Sequence, residues 1–399
     1  MMKVPHARTA LVYGATGISG LNLIEYLAKN TTTDEWDRII GICRRKEVNL
    51  DPISTKPTAD PRIRLVGGID LLNDSEEEII RQLRLAKVQE TTHVFYFSYK
   101  EEPTEDKLIE TNATMLRKAL RCTDAVAPHL QRWLLQCGVK YYGWHLGPID
   151  NPVREHTRFP AKILYYPQEE LIEEYTKDKS WDWVETRPDA IVGISKGNFM
   201  SLAASVAIYL VILKELGKPA LFPGNAFLYN CVEDTTYAKL LAEFEVFLAI
   251  HPGAGREAFN IVNGDVFRWR QVWPKLAEMF ELEMPPVQFK DMPEITSNRI
   301  RISQVCLKEF MKDKEPVWDA AAVKHGLNPD AFHCATWEFA GNRTWDLLSN
   351  MTKARKLGWS GYVDSEEMWL QLMRRFEMEH AVPRLRTLSG EYPEYLRII

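Results

Sequence analysis

The sequence lacks the features that mark secreted, metal-binding or nucleic-acid-binding proteins. Its six cysteines are scattered and include no C-x-x-C pair, so we expect reduced thiols, no disulfide framework and no metal site. The formal net charge of −5 gives no general attraction to nucleic acid or to an anionic membrane surface. Neither nucleic acid nor a membrane is therefore expected among its partners.

Long apolar runs are also missing. The longest candidate, residues 199–216, is interrupted by serines and by charged side chains near its end, which predicts a mostly buried helix rather than a membrane span. No signal-peptide pattern precedes the first apolar run. We therefore expect a soluble, cytoplasmic protein, whose 399 residues suffice for a large α/β domain and a second part.

What the sequence does contain, at residues 9–20, is a glycine-rich turn around which the rest of the chain is organised. The apolar run Ala10–Tyr13 leads into glycines at three-residue spacing, and helical apolar spacing follows. Strand, glycine turn and helix form the context of a dinucleotide fingerprint, in which the start of the helix meets the pyrophosphate. The alternative is an ordinary βα turn that binds no nucleotide. The candidate cofactor-binding residues of this turn are Gly14, Thr16, Gly17 and Ile18.

Two arginines follow the second predicted strand, residues 38–43. Arg44 and Arg45 come directly after it, at the distance from the first strand that one βαβ unit requires. In NAD-binding examples an acidic side chain here binds the ribose hydroxyl, whereas guanidinium groups suit the 2′-phosphate of NADP. The pair favours NADP(H) as the cofactor, the alternative being a solvated basic pair at a strand end.

Further apolar segments complete the strand pattern, at residues 63–68, 93–98, 133–137, 183–187 and 259–262. Their alternation with helical segments predicts an α/β fold with a Rossmann-type doubly wound parallel sheet. Ligands of such sheets bind at the carboxyl ends of the strands, which makes residues just after the strands candidate cofactor contacts. Asp70 either flanks the adenine or caps the acidic helix that follows it. The candidates in these segments are Asp70, Ser98, Pro188 and Ile191.

The usual catalytic pair of short-chain dehydrogenases is missing. These enzymes normally carry a Tyr-x-x-x-Lys motif, but Tyr165–Tyr166 has Glu169 and Glu170 at the lysine position. Tyr96 and Lys100 have the spacing, yet they belong to a predicted strand, on which they would lie about 13 Å apart. An ordinary short-chain dehydrogenase is therefore not supported.

Several longer segments nevertheless resemble one family. They are GATGISG at 14–20, the arginine pair, THVFY at 92–96, LQCGVKYY at 135–142, LYYPQEELI at 164–172, ETRPDAIVGIS at 185–195, AFNIVNGDVFRWRQVWPKLAEMF at 258–280 and KEPVWDAAAVKHGL at 314–327. Through them the chain is similar to the PRISE family, the progesterone 5β-reductase and iridoid synthase-like enzymes. These are atypical extended short-chain dehydrogenases whose catalytic tyrosine and lysine come from separate segments.

The resemblance implies that Lys140 and Tyr165 are catalytic and also contact the cofactor. The tyrosine hydroxyl would stabilise the enolate oxygen formed by hydride addition to an enone, and Lys140 would support the tyrosine and bind the ribose hydroxyls. Without the resemblance, Lys140 would be taken for a surface lysine and the tyrosine pair for core packing. Cys137, where the family usually has Thr, and Asp189–Ala190, where plant members commonly have Gly-Asn, leave substrate and stereochemistry open.

The resemblance also implies a mainly helical C-terminal substrate-binding cap. We predict an NADP-binding Rossmann domain at 1–195 with a returning strand near 258–263, and the cap at 196–399. The predicted activity is NADPH-dependent 1,4-reduction of an activated C=C bond in an apolar carbonyl substrate, by a monomer or homodimer. Carbonyl (1,2-) reduction, epimerase-like chemistry on the same scaffold and a non-catalytic NADP-sensing regulator are the alternatives. The predicted pocket residues are Phe199, Met200, Phe339 and Trp345.

Overall fold

Two structural units make up the described part of the chain. The computed structural model describes residues 7–46, 60–194, 201–289, 305–337 and 343–388. The first unit contains the described residues of Met1–Asp189, Ala238–Val262 and Ser349–Gly361. The second contains those of Ala190–Tyr237, Asn263–Leu348 and Tyr362–Ile399.

A seven-stranded parallel sheet forms the centre of the first unit. The strands of the chain are β1 (Arg8–Tyr13), β2 (Trp36–Ile42), β3 (Ile63–Val66), β4 (His93–Tyr96), β5 (Arg132–Gln136), β6 (Asp182–Pro188), β7 (Ile191–Val192), β8 (Thr236–Tyr237) and β9 (Glu257–Ile261). The sheet order is β3-β2-β1-β4-β5-β6-β9, and every neighbouring pair is parallel. The predicted Rossmann-type sheet is confirmed, including the returning strand, which pairs with β6.

Burial explains why the strands are apolar runs rather than alternating patterns. Residues 10–13 of β1 are fully buried, as expected for a parallel sheet that is covered on both faces. On one face, aromatic rings stack along neighbouring strands, with the Trp133 ring 6.1 Å from Tyr13 and 6.3 Å from Trp181 between centroids. This aromatic layer holds β1, β5 and the start of β6 together.

Twelve α-helices lie in the described residues. They are α1 (Ile18–Asn30), α2 (Glu76–Leu85), α3 (Glu105–Asp124), α4 (Tyr165–Thr176), α5 (Leu202–Glu215), α6 (Ala226–Asn230), α7 (Ala238–Ile250), α8 (Trp269–Met279), α9 (Leu307–Met311), α10 (Glu315–His325), α11 (Thr352–Lys356) and α12 (Ser365–Met378). None of these helices combines the length and the apolarity that crossing a bilayer would require.

Helix α7 belongs to the sheet-containing unit. It packs against α1, and its buried Glu245 accepts a hydrogen bond of 3.0 Å from the Thr186 hydroxyl of β6. The residues of α7 fall within 196–399, the range predicted for the substrate-binding cap. The structural units and the predicted ranges thus differ at α7, and the functional division of the chain stays a prediction.

The second unit is mainly helical and has a core of its own. The predicted helix 199–216 corresponds to α5, which is buried along almost its whole length because other helices of this unit surround it. Large aromatic side chains fill the same core. Those that are fully buried or nearly so include Trp269, Trp273, Phe280, Trp318 and Trp369.

Candidate active site

The carboxyl ends of the parallel strands bring most of the predicted cofactor residues to one edge of the sheet. Each residue follows a different strand or ends it, and parallel strands direct all these ends the same way. The residues at this edge are Gly14 after β1, Arg44 and Arg45 after β2, Asp70 after β3, Ser98 after β4 and Pro188 at the end of β6.

Close backbone packing explains two of the three glycines in the turn. Gly14 has a φ of +77°, and a Cβ on it would lie 2.8 Å from the Phe97 carbonyl carbon and 3.0 Å from the Ser98 nitrogen. A Cβ on Gly20 would lie 2.4 Å from the Gly14 oxygen, so only glycine lets α1 pack on the turn. Gly17 differs, because a Cβ there would meet only the Gly14 oxygen, at 3.4 Å.

The other predicted residues of the turn, Thr16, Gly17 and Ile18, lie where α1 begins. Gly17 is the N-cap residue of α1, and its N–H donates to the Gly14 oxygen at 3.0 Å. Thr16 is half-buried in the turn, and Ile18 is the buried first residue of the helix. The start of α1 therefore has backbone N–H groups without a side-chain cap, as a phosphate-binding helix requires.

Arg44 and Arg45 lie exposed immediately after β2. The Gly68 N–H donates to the Arg45 carbonyl oxygen at 3.1 Å, and the Ile69 N–H donates to the Cys43 carbonyl oxygen at 3.3 Å. These hydrogen bonds continue the pairing of β2 with β3 beyond the strands. The arginine pair is therefore held on an ordered backbone while its side chains face solvent.

Asp70 does not cap the acidic helix α2, so that alternative is wrong. The N-cap is Ser75, whose hydroxyl oxygen accepts from the Glu78 N–H at 3.2 Å. Asp70 instead closes a tight turn, in which its carboxylate accepts from the N–H groups of Leu72 at 2.9 Å and Asn73 at 3.2 Å. The sequence left the cap open as an alternative because aspartate is common both at helix caps and in tight turns.

The loop after β4, which contains Ser98, is held by a buried asparagine of α3. The Asn112 side chain accepts from the Lys100 N–H at 2.9 Å and donates to the Lys100 carbonyl oxygen at 2.8 Å. It also donates to the Leu108 carbonyl oxygen at 2.8 Å. This explains an uncharged polar residue in the middle of α3, and it fixes the loop that begins against Gly14.

Tyr165 is the first residue of α4, and its hydroxyl faces the ends of β5 and β6. A Cβ on Gly138 would lie 3.2 Å from the Tyr165 Oη and 3.4 Å from the Pro188 carbonyl oxygen, so glycine at 138 leaves room for the hydroxyl. Burial, together with the nearby Cys137 thiol and Glu185 carboxyl group, raises the pKa of Tyr165 well above its ordinary value. The hydroxyl therefore keeps its proton and can donate a hydrogen bond.

Lys140 lies in a short 3₁₀ turn, Val139–Tyr142, that follows β5. Its side chain is exposed, and within the described residues no hydrogen bond joins it to Tyr165. Next to it, burial and the positive charge of Lys140 lower the pKa of His145 to about 4. The two candidate catalytic residues come from separate segments: Lys140 follows β5, and Tyr165 begins α4.

A buried charged cluster, which the sequence analysis did not assign, connects these two segments. Arg187 of β6 is 1% exposed, and its Nε donates to the Glu185 carboxylate at 2.5 Å. Its Nη2 donates to Glu169 of α4 at 2.8 Å, and its guanidinium lies 3.3 Å from the centre of the Tyr141 ring. The Tyr141 hydroxyl donates to the other Glu169 oxygen at 2.7 Å. The sequence signal for this cluster was a pair of opposite charges, Glu185 and Arg187, on one face of the predicted strand 183–187.

Glu185 is the most deeply buried member of this cluster. Its Oε2 accepts no hydrogen bond of normal geometry from the residues that the structure describes, and burial raises the pKa of the carboxyl group to about 7. The Cys137 thiol lies beside it, and burial together with the Glu185 carboxylate raises the pKa of the thiol. The residue where the family usually has Thr therefore touches this carboxyl group.

The remaining predicted residues cannot be related to Tyr165. Phe199, Met200 and Phe339 lie outside the described residues. Trp345 is half-buried in the second unit, and Ile191 begins β7 in the same unit. Their roles in substrate or cofactor binding stay predictions.

Comparison with known proteins gives one family and several relatives of full length. A family model described as a PRISE-like Rossmann-fold domain matches residues 10–360. The (S)-8-oxocitronellyl enol synthase of Catharanthus roseus is 31% identical over 387 residues, covering 94% of this chain and 92% of that protein. The short chain dehydrogenase gsfE of Penicillium aethiopicum is 30% identical, covering 94% and 100%.

Solved structures show the same fold at lower sequence identity. The epimerase Mth375 from Methanothermobacter thermautotrophicus superposes with a TM-score of 0.63 at 16% identity, and the match covers 93% of each chain. At this identity the likeness concerns the arrangement of strands and helices, and it says nothing about the reaction.

Proposed function

The chain belongs to the PRISE-like Rossmann-fold family, and from this membership we propose that it is an NADPH-dependent reductase of activated C=C bonds. The proposed substrates are apolar enones or enals, which take hydride at the β-carbon. The observation that carries the proposal is the protonated Tyr165 hydroxyl, which lies against Gly138 at the carboxyl edge of the sheet. At this edge, ligands of parallel sheets bind.

The residues of the glycine turn fit a dinucleotide. Among the described residues a Cβ at Gly17 would meet only the Gly14 oxygen, at 3.4 Å, and the missing side chain leaves room there for close approach of a pyrophosphate. Arg44 and Arg45 would bind the 2′-phosphate through charged hydrogen bonds. When bound, the reduced dinucleotide would supply the hydride.

Tyr165 would stabilise the charge that develops on the substrate. As hydride reaches the β-carbon, electron density moves to the carbonyl oxygen, and a hydroxyl donor placed there stabilises the resulting enolate. A protonated hydroxyl is needed for this, and burial keeps Tyr165 in that form. The exposed ammonium of Lys140 would bind ribose hydroxyls and add positive charge near the developing enolate.

A screen of NADPH oxidation against enones, enals and ketones tests this proposal. Reduction of the C=C bond, detected by product analysis, is the expected result, whereas turnover of ketones alone would indicate 1,2-reduction. Oxidation of NADPH by none of the three classes would contradict the proposal.

Tyr165→Phe tests the role of the hydroxyl, because it removes one oxygen and little volume. We expect kcat to fall by about 10²–10³ on a weakly activated enone, the loss seen for one oxyanion donor, with NADPH affinity retained. Tyr175→Phe is the matched control, since Tyr175 lies on the same helix and its hydroxyl bonds Asp124. Full activity of the Tyr165 variant would mean that its ring only packs.

A further inference from the structure

We propose that Tyr141, Glu169 and Arg187 form a positioning cluster that fixes the Lys140 turn relative to Tyr165. The inference rests on the proposed function of Lys140 and Tyr165, because it concerns the geometry between them. None of the three residues needs to touch substrate or cofactor for this role.

Glu169 connects the cluster to the helix that begins with Tyr165. It lies four residues after Tyr165 on α4, which places the two side chains one turn apart on the same side of the helix. Both carboxylate oxygens are used, since Oε1 accepts from Arg187 and Oε2 accepts from the Tyr141 hydroxyl. A carboxylate held at both oxygens fixes the rotation of the first turns of α4.

Tyr141 connects the cluster to the turn that contains Lys140. It is the next residue in the chain, and its ring is covered by the Arg187 guanidinium at 3.3 Å. Its carbonyl oxygen accepts a hydrogen bond of 2.8 Å from the Tyr166 hydroxyl, which follows Tyr165 directly. The turn is therefore bound to α4 by a side chain in one direction and by its backbone in the other.

Arg187 anchors both contacts to the sheet. It lies in β6, it is 1% exposed, and its Nη1 donates to the Glu155 carbonyl oxygen at 2.7 Å. The guanidinium thus bonds Glu185, Glu169 and the Glu155 carbonyl oxygen, and displacement of any of these contacts would leave a buried charge with fewer partners. The pKa of Tyr141 is raised by burial, so its hydroxyl keeps its proton and continues to donate to Glu169.

Tyr141→Phe is the decisive variant, since it keeps the stacked ring and removes only the hydroxyl that bonds Glu169. Small displacements of catalytic groups cost up to about 10²-fold in rate. The variant loses the side-chain connection to Glu169 and keeps the backbone connection to Tyr166, so kcat should fall by about 10-fold. Tyr175→Phe is the control: it also removes a tyrosine hydroxyl from this region, but that hydroxyl bonds Asp124 at 3.2 Å and touches no member of the cluster.

The same variant in a Tyr165→Phe background separates positioning from general damage. If Tyr141 acts through Tyr165, its loss should cost little once the Tyr165 hydroxyl is gone, because residues that act as a unit are not additive. Losses that simply multiply, or a Tyr175→Phe enzyme as slow as Tyr141→Phe, would overturn the inference.

Hydrogen exchange provides a readout that does not depend on activity. Tyr141→Phe should speed amide exchange both at residues 139–143 and in the first two turns of α4, while Tyr175→Phe should leave exchange in both segments unchanged. Unchanged exchange in α4 of the Tyr141 variant would overturn the cluster's role. A wild-type protein that reduces no substrate would instead overturn the proposed function, and the exchange result would still decide whether the cluster joins the two segments.

Discussion

The glycine turn after β1 and the region around Tyr165 lie at the same edge of one sheet, yet they are built in different ways. The turn is backbone packed on backbone, as the 2.4 Å from a Gly20 Cβ to the Gly14 oxygen shows, and its three glycines lie within one segment of seven residues. The Tyr165 region depends on side chains of Tyr141, Glu169 and Arg187, which lie on three separate segments. Packing between residues that are close in the chain produces a recognisable sequence motif. Contacts between distant segments involve single residues that share no sequence pattern.

Gly20→Ala should have the largest effect. Its Cβ would meet the Gly14 oxygen and the Ala15 Cα at 2.4 and 2.8 Å, and neither backbone atom can move without displacing β1. We expect a loss of about 3 kcal/mol or more in the free energy of unfolding and no measurable NADPH binding, as followed by denaturant unfolding and by nucleotide fluorescence.

Gly17→Ala is the control for that prediction and sharpens the comparison. The Gly17 φ of −78° suits alanine, so the free energy of unfolding should change by only about 1 kcal/mol. NADPH binding should nevertheless weaken, because the methyl group would project where a pyrophosphate approaches. Equal stability losses at the two glycines would show that close backbone packing does not distinguish Gly20 from Gly17. Unchanged NADPH binding in Gly17→Ala would show that no pyrophosphate approaches Gly17.

The fold could be predicted from local patterns because most sheet strands contain a run of buried residues, whereas the edge strand β3 is only partly buried. All seven sheet strands lie where apolar segments predicted them, within two or three residues at the ends. The return of α7 to the first unit could not be predicted, since a helix that is apolar on most sides fits any core. Nothing in residues 238–250 specifies α1 as the neighbour.

The candidate site divides in the same way. The glycines and the arginine pair could be assigned from spacing alone, whereas Lys140 and Tyr165 required resemblance to a family, and the Glu185–Arg187 pair was missed. The sequence does not show with which residues the charged side chains of a strand pair, and Glu169 lies 18 residues from Arg187 in the chain. Physical chemistry predicts that such charges must be paired when buried, but only the fold shows with what.

Replacing Arg44 and Arg45 with Ala together tests the cofactor side of the comparison. Two charged hydrogen bonds at roughly 1.5 kcal/mol each would be lost, so the apparent KM for NADPH should rise by about 10²-fold while that for NADH changes little. Stability should stay as in the wild type, because both side chains are exposed. Wild-type protein that uses NADH and NADPH equally well would remove the reason for assigning NADP.

Glu185→Gln should change how stability depends on pH. A carboxyl group whose pKa is raised from 4.5 to about 7 by burial keeps its proton in the folded state after the unfolded chain has lost it. Between these values the unfolded protein binds fewer protons, so the free energy of unfolding falls as the pH rises. Glutamine cannot lose a proton, and the stability of the variant relative to wild type should therefore increase with pH, by about 3 kcal/mol. A difference that is constant with pH would mean that Glu185 is ionised throughout.

Cys137→Ser should have the smallest effect and would show whether the thiol controls this titration. A serine hydroxyl has nearly the shape of the thiol but donates a stronger hydrogen bond, and the Glu185 Oε2 beside it accepts none of normal geometry among the described residues. Donation to the carboxylate lowers its pKa, so the pH-dependent loss of stability should shrink by about 1 kcal/mol or less and move to lower pH. Cys122→Ser is the control, since Cys122 is equally buried but its thiol faces the Glu76 carbonyl oxygen. If both serine variants follow the wild-type curve, residue 137 does not donate a hydrogen bond to Glu185 and does not control this titration.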